Sequence, residues 1–386
     1  MRAQKGLNRA VIYFDHNATT PLHPAARTAW LDAADRFPAN PSSPHRLGGR
    51  SEAALSGARE VLGSILGCPA LDVVWTSGAS ESANMLFHHW SRSLPDRAVA
   101  WVSALEHPCV LAAADYWMGE RCRRIPATSD GLVDLAWMEA EVARRPPAAV
   151  AAMAANNETG VEQPWVELSA WCASRGVAYA CDAVQWLGKR PGRGLGSCDF
   201  VLGSAHKFGG PKGVGFLKCP REGSVMPLIQ GGPQEDGRRA GTENVAGVAA
   251  MAAALQARET LLNKEGTVER EAWRAWFEQE LVRRLPGTIV LAPRRSRLWN
   301  TVAALMPEAD CRSRWVVKLD KLGFAVSTGS ACASGKEAPS HVVTAMGLGP
   351  SDAARMLRFS AGWETTRQDW EQLLAALERV ARRPGR

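Results

Sequence analysis

The segment Gly203-Ser204-Ala205-His206-Lys207-Phe208-Gly209-Gly210-Pro211-Lys212-Gly213-Val214-Gly215 sets a lysine in a glycine-rich loop between two apolar stretches. A lysine amine condenses with an aldehyde to an imine. Four other polar clusters precede it. Cys181-Asp182-Ala183-Val184-Gln185 places a carboxylate where burial would demand a cationic partner, such as a protonated pyridine nitrogen. Glu106-His107-Pro108 offers an imidazole that could stack on a ring, or serve only as a structural histidine. Asn156-Asn157-Glu158-Thr159-Gly160 is polar and could simply be a turn. Thr76-Ser77-Gly78-Ala79-Ser80-Glu81-Ser82-Ala83-Asn84 has small residues that let backbone N–H groups approach an anion at a helix start. A plain helix cap would explain that cluster equally well. Together the five clusters suit one phosphorylated, aldehyde-bearing pyridine.

Two features lie further along. Ser327-Thr328-Gly329-Ser330-Ala331-Cys332-Ala333-Ser334-Gly335 surrounds a thiol with small residues, which predicts a loop able to carry it into a site. A free cysteine is otherwise most often a small buried hydrophobe. Arg358, in Arg358-Phe359-Ser360-Ala361-Gly362, has the planar guanidinium that grips a carboxylate in two places, or forms a structural ion pair.

These clusters need a frame that brings them together. Short apolar runs alternate with amphipathic stretches, which predicts an α/β fold with a largely parallel sheet. The expected strands are 73–76, 98–103, 148–154, 178–181, 200–203 and 213–217. Helices are expected at 51–66 and 165–175. The five clusters each follow a strand, and parallel sheets bind ligands outside their carboxyl ends. An alanine-rich helix starts near residue 246. After it come a charged helix over 263–285, short strands at 288–291, 301–305, 325–327 and 356–360, and a final helix from Arg367. The expected division is a large domain over 15–255 and a smaller α+β domain made of 1–14 and 256–386, with the cysteine loop at 327–338.

The 386 residues are too many for one small core, and 46% apolar with 22% charged residues is ordinary for a soluble globular chain. The net charge of +7 comes from scattered Lys and Arg, with no basic stripe interleaved with aromatics, so nucleic acid is not an expected partner. Nine cysteines at irregular spacing, without a C-x-x-C pair, give no expected metal site and fit a reducing cytoplasm. The polar first ten residues do not resemble a signal peptide, and the longest apolar run, 148–155, is too short to span a bilayer.

The ordered set of motifs resembles the class-V aminotransferase group of fold-type-I pyridoxal phosphate enzymes, and within it the NifS/IscS-like cysteine desulfurases. Tyr13-Phe14-Asp15-His16-Asn17-Ala18-Thr19-Thr20, Asn40-Pro41-Ser42-Ser43-Pro44-His45 and Gly241-Thr242-Glu243-Asn244 match as well, so the likeness covers nearly the whole chain. The resemblance implies a mainly parallel seven-stranded sheet in the large domain. It implies that Lys207 carries pyridoxal 5'-phosphate, that Asp182 pairs with the pyridine nitrogen, and that His107 stacks on the ring and moves protons. Asn157 and Gln185 would meet the ring's phenolic oxygen, and Asn157 would also touch substrate. Ser80, Ser204 and His206 would hold the phosphate with the Ala79 backbone. Thr242 would reach the phosphate site of a second subunit, implying a homodimer. Arg358 would bind the carboxylate of L-cysteine, and Cys332 would take its sulfur as a persulfide for an acceptor protein serving iron–sulfur cluster, thio-cofactor or tRNA thiolation chemistry.

The chain departs from the family pattern at His16, where Asn is usual, at Ser80, where Thr is frequent, and at Trp363 and Glu364. A lyase or transaminase acting on another amino acid and a selenocysteine lyase remain open readings of the same residues.

Overall fold

A computed structural model describes residues 11–221, 225–308, 312–328 and 340–381. Its central sheet has seven strands, in spatial order Val73–Thr76, Gly215–Lys218, Phe200–Ser204, Ala178–Asp182, Ala149–Ala151, Ala100–Ser103 and Cys122–Ile125. Four pairings are parallel. Gly215–Lys218 runs antiparallel to both of its neighbours. The expected α/β architecture with a mainly parallel sheet is what the chain adopts.

Alternation within the strands loads both faces of this sheet. Val73, Trp75, Trp101, Val150, Tyr179, Val201 and Phe216 join one core, against helices Arg46–Leu66, Trp165–Ala173 and Val245–Glu265. Val74, Val102, Ala151, Leu202 and Leu217 join another, against helices Ala79–Ser93 and Pro108–Met118. Burial on both faces is why the strands read as continuous apolar runs in sequence.

The chain after residue 266 builds a three-stranded antiparallel sheet, Met356–Ser360, Thr301–Leu305 and Ile289–Val290. Helices Val268–Arg284 and Arg367–Ala381 cover it, with Phe277, Leu281, Phe359, Trp370 and Leu373 in the core and Phe14 joining from the start of the chain. Ile12–Tyr13 pairs in parallel with Phe324–Ala325.

Several expected elements change. The runs at 98–103 and 148–154 contribute only Ala100–Ser103 and Ala149–Ala151 as strand. Residues 152–154 stay alongside Ala178–Asp182, with Ala152 N–H donating to Ala180 O and Ala154 N–H to Asp182 O, and lead to the polar cluster after them. The edge strand Cys122–Ile125 carries no apolar signal because of its arginines, which are half-buried and paired with Glu141 and Asp115 on neighbouring helices. The boundary between the alanine-rich and charged helices shifts, residues 263–265 closing Val245–Glu265 before Gly266 at φ 66° and the charged helix running Val268–Arg284. Val245–Glu265 is long and apolar enough to cross a bilayer, yet Val248, Met251, Ala254 and Leu255 are buried in the core.

Candidate active site

The polar clusters converge at the carboxyl ends of the parallel strands. Asp182 is the last residue of its strand, and Lys207 lies on a turn, Ala205–Lys207, directly after Phe200–Ser204. His107 caps helix Pro108–Met118, and Ala79 and Ser80 open helix Ala79–Ser93. All of these line one cavity of about 600 Å³, together with Asn157, Gln185, Ser204, His206 and Arg358. Ten of the expected site residues are thus brought together. Thr242 is exposed and is not part of this cavity wall. Cys332 lies outside the described residues.

The comparisons decide the family. The class-V aminotransferase family model matches residues 12–373. This chain belongs to the class-V aminotransferase family. It is 35% identical over 378 residues to a cysteine desulfurase of Klebsiella pneumoniae, covering 95% of this chain and 91% of that one. A NifS-like protein of known structure shares 28% identity at a TM-score of 0.88, covering 96% and 99% of the two chains. SspA, solved in complex with cysteine, shares 27% identity at a TM-score of 0.76, covering 90% of this chain and 98% of its own.

Within this class-V chain, Lys207 Nζ donates to Asn17 O at 2.7 Å and Ala18 O at 2.9 Å. Asp182 is buried, and its Oδ1 accepts from Val184 N–H at 2.9 Å. Burial pushes this carboxyl up to about 6, against the pull of the Val184 N–H and the Lys207 cation. Burial, then the neighbouring Lys207, lowers His107 to about 4. Its Nδ1 accepts from Cys109 N–H at 3.1 Å, so the neutral ring carries its proton on Nε2. The ring signals of His107 should therefore show no titration in NMR between about pH 5 and 8. A midpoint near the ordinary histidine value would contradict the buried, neutral imidazole.

The end of the cavity at Ala79 and Ser80 is a helix start. Helix Ala79–Ser93 has Gly78 as its N-cap, at φ 149° and without a side-chain cap. A Cβ on Gly215 would lie 2.6 Å from Gly78 Cα and from Gly203 O, so glycine there lets the sheet come up under the helix start. Glu81 braces the turn by accepting from Ser77 N–H at 2.7 Å and from Arg239 Nε at 2.9 Å. His206 Nδ1 lies 3.1 Å from Thr19 Oγ1.

Arg358 forms an ion pair within the fold. It is buried in strand Met356–Ser360, its Nη2 donates to Asp15 Oδ1 at 2.7 Å, and its Nη1 donates to Asn157 O at 3.1 Å. It also lines the cavity. Both ends of the segment that carries Cys332 are fixed nearby. Ser327 pairs with Arg358 through two backbone hydrogen bonds. On the far side Ser340 Oγ donates to Glu158 Oε2 at 2.5 Å, and His341 Nε2 lies 2.8 Å from Glu106 O.

The donor set fits pyridoxal phosphate. Asn157 Oδ1 is buried without a hydrogen-bond partner among the described residues, on the wall where a ring would lie. The uncapped helix start suits a phosphate, and a buried carboxylate facing the cavity suits a protonated pyridine. Sequence reasoning gave no role to Asn17, Cys109, Lys189 or Lys212. Asn17 sat inside a quoted motif and could have been singled out there. Nothing local marks Cys109 or Lys189, which gain significance only from what packs beside them.

Proposed function

We propose that this chain is a pyridoxal phosphate-dependent cysteine desulfurase, converting L-cysteine to L-alanine with transfer of the sulfur to Cys332. The observation that carries this reading is the single cavity uniting Lys207, Asp182, His107 and Arg358, with both ends of the Cys332 segment secured at its wall. When bound, the cofactor supplies an electron sink for charge that develops at the substrate's α-carbon.

Lys207 holds the cofactor and, once released, its Nζ accepts the α-proton. The carbonyls of Asn17 and Ala18 fix that nitrogen in place. Asp182 holds the pyridine nitrogen in its protonated form. Ser80, Ser204, His206 and the Ala79 backbone hold the phosphate, while Asn157 and Gln185 meet the ring oxygen. Arg358, aimed by Asp15, grips the substrate carboxylate. His107 presents its Nε2 proton to the reacting centre. The Cys332 thiolate attacks the substrate sulfur, forming an S–S bond as the Cβ–S bond breaks, and Cβ takes up a proton. The products are alanine and a persulfide on Cys332.

The cofactor charge is shared with a second copy of the chain in this reading. Thr242 is exposed and outside its own cavity, as a residue serving a partner's phosphate site must be. Residues 15–255 act as the cofactor-binding domain and the remainder as the domain that carries the thiol. The described cysteines are free thiols, which suits a cytoplasmic enzyme and a thiol-bearing sulfur acceptor.

The test is a paired assay of sulfide and alanine from L-cysteine with a reductant, in the wild type and in Cys332→Ala. Equal amounts from the wild type are expected, with loss of both in the variant while its visible cofactor band persists. A band with neither product in the wild type would move the substrate to another amino acid. Products unchanged in the variant would remove Cys332 from the mechanism.

A further inference from the structure

Lys189 is a buried lysine that no step above uses. It is 4% exposed, and its Nζ makes no ion pair with a carboxylate among the described residues. Its nitrogen donates to Gln185 Oε1 at 3.0 Å and Gln185 O at 3.2 Å. A buried amine ordinarily pairs with a charge or is removed by selection for stability. This one is spent on a neutral amide that lines the cavity.

The contacts of Gln185 explain what the amine does. On one side the amide meets an amine donor, so the atom there must be its oxygen. On the other side it meets the carbonyl of Asn17 at 3.0 Å, an acceptor, so the atom there must be its nitrogen. The same Asn17 O accepts from Lys207 Nζ at 2.7 Å. A chain of hydrogen bonds thus runs from Lys189 through Gln185 and Asn17 to Lys207. Gln185 Nε2 has two hydrogens and spends one on Asn17 O, which leaves the second for the cavity.

We propose that Lys189 is a positioning residue that locks the Gln185 amide with Nε2 toward the cavity and so sets the proton affinity of the cofactor held on Lys207. This rests on the reading of the cavity as a pyridoxal phosphate site. An N–H donor behind the amide oxygen polarises the amide, most strongly when the amine is protonated, and strengthens Nε2 as a donor. A stronger donor to the ring oxygen draws electron density from it, and the proton shared between that oxygen and the lysine-bound nitrogen is held less firmly. The charged and titratable groups around Lys189 are Lys207, Arg258 and Arg358, with His16 and His206 also close enough to feel its charge. Burial, then these cations, lowers its own amine to about 7, and an anion entering the cavity favours its protonated form.

The experiment titrates the visible absorption of the purified holoenzyme between about pH 5 and 10, for wild type, Lys189→Met, Lys189→Arg, Gln185→Ala and the double variant Lys189→Met/Gln185→Ala. Thermal melting of each protein checks that it is folded. Lys189→Met should raise the spectral midpoint by about one pH unit and weaken cofactor retention on dialysis, and Lys189→Arg should restore most of the shift. In the Gln185→Ala background, Lys189→Met should add no further shift. A midpoint unmoved in folded Lys189→Met overturns the proposal. So does a shift of equal size in the Gln185→Ala background, which would mean that the charge acts through space and not through the amide. A wild-type protein with no visible band would instead overturn the cofactor reading on which the proposal stands.

Discussion

Lys207→Ala should abolish sulfide and alanine production, with turnover falling by about 10³-fold or more. The expectation follows from two losses at one atom. The variant has no amine to hold the cofactor, and no base at the position that Asn17 O and Ala18 O define. A placed general base alone contributes roughly 10²–10⁴-fold. Lys212 also lines the cavity, but it is exposed and has no tether among the described residues comparable to the two carbonyls, so it should not substitute. The stability change should be small, because Asn17 O keeps its hydrogen bond from Gln185 Nε2 and the loss of a half-buried cation offsets the lost donor at Ala18 O. Product assays check the first part. Borohydride reduction followed by peptide mass analysis checks the second, since only the wild type should retain the cofactor on the peptide that contains residue 207. Turnover within tenfold of wild type would exclude Lys207 from the chemistry.

Asp182→Asn should separate activity from stability. Asparagine preserves the shape and the oxygen that accepts from Val184 N–H, but it cannot hold a pyridine nitrogen protonated by charge. Removing such a preorganised charge from a buried site costs roughly 10²–10³-fold in turnover. The cofactor-free protein should respond in the opposite direction. Burial raises the Asp182 carboxyl to about 6 from its ordinary 3.8, so the folded state is disfavoured wherever the group must ionise. That penalty is present in full above about pH 6, shrinks as the pH falls through 6, and is gone below the unfolded value. Asp182→Asn should therefore melt higher than the wild type at pH 8, by on the order of 2 kcal/mol, and the gap should close by about pH 4. Thermal melts of the two apo proteins across that range provide the check. A variant less stable than wild type at pH 8 would show that the ionised carboxylate is satisfied by partners in the fold.

The cavity residues were legible because each belongs to a short polar stretch after an apolar one. Asp182, Lys207 and Asn157 could be placed at strand ends from local pattern alone, and the carboxyl-end rule then gathered them. The cysteine loop and Arg358 depended more on the likeness to a family than on local pattern. Six strands of the seven-stranded sheet were anticipated, but not the seventh and not the pairings. Gly215–Lys218 looks in sequence like any other buried strand, and its antiparallel direction follows from the short connection back from Phe200–Ser204. Cys122–Ile125 was concealed because arginine-rich runs carry no apolar signal, and only a free edge of the sheet makes them a strand.

The sequence by itself determined the chemical inventory of this protein: an amine, a carboxylate, an imidazole and a helix start rich in small residues, each following a buried strand. It determined this because strands buried on both faces and glycine-bearing turns are local properties of the chain. Only the tertiary structure decided which distant groups act on which. Asp15 aims Arg358 across 343 positions of chain, and Asn17 O joins Gln185 to Lys207. Whether Lys189 faces solvent or stands behind Gln185 was equally undecided in the sequence. Those pairings arise where the first residues of the chain cross between the two sheets, and no periodicity or spacing encodes a hydrogen bond between segments that meet only when both cores have formed.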